Sequence, residues 1–222
     1  MSTMKNLTLN ELNESGENIP EWHERACSQL LETLSNPEFP CFFGVSAKKN
    51  IKLRFFYIEK QVTKCAVESG LKAFNNFRSL ECKSDYNLAI TLGGDIYSDR
   101  DRLKDDLWSA LEALDTFPKK QVASSSKEFF FEGEPYFVLV TGPFYKNTPS
   151  RFLSDFPIVL FQPREVFQGY EAGTKSGTIA RKKIRDRVVK FDGSPLHSIV
   201  GPPDEKPESW WDYYFIPDKQ DV

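Results

Sequence analysis

Apolar positions repeat at two different periods along this chain. Trp22, Ala26, Leu30 and Leu34 recur every fourth residue. That predicts an amphipathic helix from Pro20, a residue tolerated in a first turn, to about Asn36. Val62, Val67, Leu71 and Phe74 predict a second helix over 61–79, weakened at Gly70 by about 1 kcal/mol relative to Ala. Leu103, Leu107, Leu111 and Leu114 predict a third, capped by Ser98. Ser176 to Lys190 predicts a fourth, basic helix. Ile51, Leu53 and Phe55 alternate instead with Lys52 and Arg54, the period of a strand, here running to Ile58. The short apolar runs Cys41–Val45, Tyr86–Leu92, Ile158–Phe161 and Trp211–Ile216 read as further strands, with Lys48-Lys49-Asn50 turning between the first two strands. Phe129–Phe131 and Tyr136–Val140 read as a hairpin around Gly133-Glu134-Pro135. Several strands follow one another directly. The pattern therefore points to an α+β fold, a single domain over 19–222 with helices packed on a largely antiparallel mixed sheet. Residues 1–18, rich in Asn, Ser and Glu, read as a flexible N-terminal segment.

Composition narrows the function classes. The 222 residues suit one large domain. A net charge of -3 gives no global drive toward nucleic acid. No run approaches the roughly 18 apolar residues of a membrane span, and the polar start lacks an apolar signal region. Cys27, Cys41, Cys65 and Cys82 form no C-x-x-C pair, so neither a zinc site nor a thioredoxin motif is indicated, and a cytoplasmic chain with reduced thiols is expected. The 19 Phe, 8 Tyr and 4 Trp are read as a Phe-rich core, with a flat apolar pocket for a planar cofactor as the alternative.

Gly93-Gly94 reads as a turn, because no Lys-Ser/Thr follows and the G-x-G-x-x-G spacing is absent. No G-x-S-x-G elbow occurs around Ser124-Ser125-Ser126 or elsewhere, and His23 and His197 are the only histidines. Hydrolase triads are thereby disfavoured. In the basic helix, Arg181 and Arg185 share a face at i, i+4 spacing. The bland reading is a solvated charge run; the sharper one is a pair of guanidinium forks for carboxylates such as haem propionates, or for a phosphate.

Five segments in order carry a resemblance. They are Phe39-Pro40-Cys41-Phe42-Phe43-Gly44; Phe131-Glu132-Gly133-Glu134-Pro135 leading to Gly142-Pro143-Phe144-Tyr145-Lys146 and Ser150-Arg151; Phe161-Gln162-Pro163-Arg164; Gly173-Thr174 with the Arg181–Val188 helix; and Asp192-Gly193 with His197. Together they resemble the YqcI/YcgG family. The resemblance implies a haem b-dependent N-oxygenase, an N-hydroxylase that transfers an oxygen atom to nitrogen of a small guanidino or amino compound. The alternatives are a non-catalytic haem-binding protein and a haem-free interaction protein of unknown role. Expected partners are a small-molecule substrate, an electron donor the sequence does not identify and, as an option for assembly, a second copy in a homodimer; no nucleic acid and no membrane are expected.

On that resemblance, His197 is the first choice as iron ligand and Cys41 the second. Arg151, Arg164, Arg181 and Arg185 are candidate clamps for propionates or a substrate carboxylate. Tyr145 would hydrogen-bond a distal ligand, and Tyr145 and Arg164 form the catalytic pair. Glu134, Glu165 and Asp212 are candidate partners for a guanidinium. The chain departs from the family pattern at Phe152, where a His often follows the Ser/Thr-Arg pair, at Ser198 after His197, and in Trp210–Phe215, which lacks the usual Lys and Gln.

Overall fold

A computed structural model describes residues 19–50, 52–81, 85–93, 97–116, 129–171, 173–200 and 214–218. Helix α1 (Glu21–Ser35) begins after Pro20. Helix α2 (Phe42–Lys49) leads into β1 (Leu53–Ile58). Helix α3 (Lys64–Glu81) then crosses over to β2 (Asn87–Leu92). Helix α4 (Arg100–Leu114) precedes a hairpin of β3 (Phe129–Phe131) and β4 (Glu134–Thr141). Strand β5 (Ile158–Pro163), a 3-10 turn over Arg164–Phe167 and helix α5 (Lys175–Asp192) complete the order.

The five strands form one sheet in the order β1-β2-β5-β4-β3. Strands β1 and β2 are parallel, as the α3 crossover requires, and the other three pairings are antiparallel. The α+β architecture expected from the sequence is thus present. Both faces are covered, which is why β1 and β2 are buried along almost their whole length. Phe56, Ile90, Val138 and Phe161 pack under α3 and α4. Leu53, Phe55, Ala89 and Ile158 face the other way, toward α1 and α2. Gly70 explains its own place in α3: a Cβ there would lie 3.0 Å from Phe56 Cδ1 and 3.3 Å from Ile90 Cδ1. Its absence lets the helix approach the sheet.

The sequence reading needs correction in two places. Cys41–Val45 is not a strand: Cys41 is the residue before α2, and Lys48 and Lys49 lie in that helix's last turn. A five-residue apolar run carries no period that separates helix from strand, and cations in a last turn favour the helix. Tyr214–Ile216, the described part of the expected closing strand, is helical at Tyr214 and turn and coil after it, outside the sheet; Trp211–Tyr213 and the N-terminal segment lie outside the described residues. Smaller differences concern ends. Asp99 rather than Ser98 caps α4, accepting from Asp101 N, and the hairpin turns on Glu132-Gly133, both at positive φ.

Candidate functional site

The sheet face that carries α1 and α2 is only partly covered by them. Between it, α2 and α5 lies a cavity of about 530 Å³, within the range of small-molecule sites. Leu53, Phe137, Leu139 and Leu160 of the sheet form an apolar floor, interrupted by the amides of Asn87 and Gln162. Phe39, Cys41, Phe43 and Ala47 supply one wall, and Ala180, Arg181, Ile184 and Val188 of α5 supply another. Arg151, Arg164, Phe167, Tyr170 and Glu171 complete the lining.

Helix α5 stands off the sheet because little of it is apolar: its fully buried residues are Gly177 and Ala180. It is held instead by polar contacts at both ends. Thr174 Oγ1 caps it by accepting from Gly177 N at 3.0 Å. Arg187 donates to the carbonyls of Pro37 and Phe39 at 2.7 and 2.6 Å, and Lys190 pairs with Glu38 at 3.0 Å. The charge run is therefore partly a docking device, tying α5 to the segment that enters α2 and leaving a gap between them.

Three guanidinium groups and one carboxylate line this cavity, so its charge favours an anionic occupant. Arg151 is nearly buried, and its Nη1 donates to Val140 O at 3.3 Å and Tyr214 O at 3.4 Å. Arg164 lies 5.8 Å from the Phe167 ring centre. Arg181 donates to Thr178 Oγ1 at 3.5 Å. The backbone N–H groups of Gly169 and of Glu171 itself hold the Glu171 carboxyl below the usual range, so it is ionised at neutral pH. Burial pushes the Cys41 thiol up, against the opposing pull of the Gly44 and Phe43 N–H groups and of the Arg151 and Arg187 charges.

Of the residues singled out from sequence, Cys41, Arg151, Arg164 and Arg181 meet in this cavity. Arg185 is not in the lining; its Nη2 donates to Val200 O at 2.9 Å. His197 lies half-buried on the loop after α5, also outside the lining. Tyr145 is fully buried in the turn between β4 and Arg151, its ring 4.9 Å from Phe144. Phe152 is exposed on the same turn. Glu134 and Glu165 lie with Arg78 of α3, at 2.5 and 3.4 Å, in a structural ion cluster. Asp212 lies outside the described residues. Asn87, Gln162, Tyr170 and Glu171 were missed. The available signal was Gln162, a polar residue at an inward position of an apolar strand.

The sequence matches the model of the YqcI/YcgG family over residues 30–222. The chain belongs to the YqcI/YcgG family. A relative from Streptomyces lavendulae, provisionally named N(omega)-hydroxy-L-arginine synthase DcsA, is 25% identical over 95% of this chain and 90% of its own. The uncharacterised family members YcgG and YqcI of Bacillus subtilis are 26% and 25% identical, over 92% and 95% of this chain and 87% and 89% of theirs. No solved structure matches the chain. Among the described residues, no helix is long and apolar enough to cross a membrane. None of them gathers three or more His, Cys, Asp or Glu that could hold a metal ion.

The cavity of this YqcI/YcgG member can be tested against haem. Its apolar walls suit a flat hydrophobic body, and Arg151, Arg164 and Arg181 suit paired carboxylates. Cys41 and Tyr170 are lining residues with atoms of ligating type.

Proposed function

We propose that this protein N-hydroxylates a small guanidino or amino compound bearing a carboxylate, in the cavity between the sheet, α2 and α5. The observation that carries the reading is the lining itself: an apolar chamber in which Arg151, Arg164 and Arg181 outnumber the single Glu171. Support from outside the structure is the family relation to a protein named for making N(omega)-hydroxy-L-arginine. Arg164 and Arg181 bind carboxylates, whether of substrate or of cofactor propionates, because a planar fork matches a carboxylate in two parallel hydrogen bonds. The carbonyls of Val140 and Tyr214 fix Arg151, both accepting from its Nη1. Glu171 supplies the negative charge that a guanidinium seeks. Haem b, held by Cys41 at its iron, would bring the activation of oxygen that none of the twenty side chains performs. The apolar walls exclude water from the reacting nitrogen.

A second reading, a binder of a flat anionic ligand without turnover, is favoured by one observation. The Cys41 thiol is held toward its protonated form, and a thiol must lose its proton to ligate iron.

The test is expression with haem supplied, followed by visible spectra of the oxidised and the reduced, carbon monoxide-treated protein. Incubation with L-arginine, a reductant and oxygen follows. A Soret band at near-stoichiometric haem and a product heavier by one oxygen atom are expected. A Soret band without product leaves the binder reading; no Soret band removes haem from this protein.

A further inference from the structure

Two amides interrupt the apolar floor of the cavity. Asn87 begins β2, Gln162 lies near the end of β5, and the register that pairs Leu88 with Phe161 brings them opposite each other. They are 2% and 8% exposed. Gln162 Nε2 donates to Asn87 Oδ1 at 3.0 Å, and Asn87 Nδ2 reaches Lys52 O at 3.4 Å. Asn87 thus takes up the nitrogen end of the Gln162 amide. Among the described residues no donor reaches the oxygen end, which opens on the cavity.

That oxygen is reached from the cavity rather than sealed in the core. Covering it with an occupant that lacks a donor would cost about 1–3 kcal/mol. Leu160, two residues earlier on the same face of β5, shows that an apolar side chain fits this floor. An occupant that donates an N–H would remove that cost. Arg164 and Arg181 in the same lining suit an acid group.

We infer that Gln162, oriented by Asn87, is the specificity-determining residue of the cavity: its amide oxygen accepts an N–H from the planar nitrogen head of a ligand whose carboxylate is held by Arg164 and Arg181. The inference rests on the proposed function and narrows its substrate to guanidino acids, against guanidino compounds without a carboxylate and against alkyl acids without nitrogen heads.

The experiment is calorimetric titration of the haem-supplied full chain with L-arginine, agmatine as its decarboxylated analogue, and L-norleucine as its alkyl analogue. Three proteins are compared: the wild type, Gln162→Leu and Gln162→Glu. L-arginine should bind the wild type most tightly of the three compounds. Gln162→Leu should weaken L-arginine by about 10- to 100-fold, the range of an unmatched buried N–H, and leave L-norleucine unchanged. Gln162→Glu keeps an acceptor at the same place and should retain L-arginine binding. A thermal melt at or above that of the wild type would show that Gln162→Leu is folded. Equal L-arginine affinity in the wild type and Gln162→Leu overturns the inference and leaves the proposed function standing. Failure of the wild type to bind any guanidino compound overturns both.

Discussion

His23 is buried between α1 and β2, where Nδ1 shares a hydrogen bond with Thr91 Oγ1 at 2.5 Å and the ring lies 5.0 Å from that of Tyr57. Burial lowers its pKa from 6.5 to about 4. The unfolded chain therefore takes up this proton first. The contribution of neutral His23 to stability is complete above pH 6.5 and is lost as pH falls toward 4. Between pH 7 and pH 5 the loss should be about 2 kcal/mol. Urea unfolding at the two pH values measures it, and a His23→Gln variant should lose that slope. The cysteines make a second case at this scale. Burial pushes both Cys27 and Cys41 up, whereas Cys65 is exposed. At pH 7.5 and without ligand, iodoacetamide should modify Cys65 well before either, read by peptide mass spectrometry, since the thiolate is the nucleophile. Early labelling of Cys41 would contradict its protonated state and strengthen it as an iron ligand.

At the scale of elements, α5 decides the shape of the cavity. Its first turn lies against the backbone of Tyr170 and Glu171: a Cβ on Gly177 would sit 2.6 Å from Tyr170 O and closer still to Glu171 O. Gly177→Ala must push the helix start away from that segment, at a cost of about 1–3 kcal/mol. The same shift would move Glu171 relative to Arg181, so a lowered urea midpoint should accompany weaker ligand binding. A wild-type midpoint would show that the loop yields without moving the helix. The amphipathic helices α1, α3 and α4 were legible from apolar spacing because each buries a stripe. Helix α5 was legible too, but its role was not. Its charges read either as a solvated face or as forks for an acid group, and neither reading foresees that Arg187 and Lys190 tether it across about 150 residues of chain. Helix α2 was misread because eight residues with one buried side chain, Ala47, display no face.

At the scale of the whole molecule, residues 214–218 return to the core. Tyr214 and Phe215 pack into the larger apolar cluster, and Tyr214 O accepts from Arg151. The Asp218 carboxylate closes this return by accepting from Asn147 N, Asn147 Nδ2 and Thr148 Oγ1 at 2.7–3.2 Å. Asp218→Ala leaves those donors without their acceptor and should cost about 2 kcal/mol. It should also loosen Arg151, so thermal melting and ligand titration should fall together; an unchanged melt would mean that the return does not depend on this carboxylate. The α+β class and the family resemblance were readable from the sequence alone, because periodicity and ordered motifs are properties of the chain read in one dimension. So was the gathering of Cys41, Arg151, Arg164 and Arg181 on a short list. Which listed residues share one chamber was not readable. Tertiary packing placed Arg185 and His197 outside the lining, gave Glu134 and Glu165 to Arg78, and brought Asn87 opposite Gln162. The reason is physical: spacing along a chain fixes which side chains share a face of one element, while proximity between elements depends on strand register and on how closely each helix can approach the sheet.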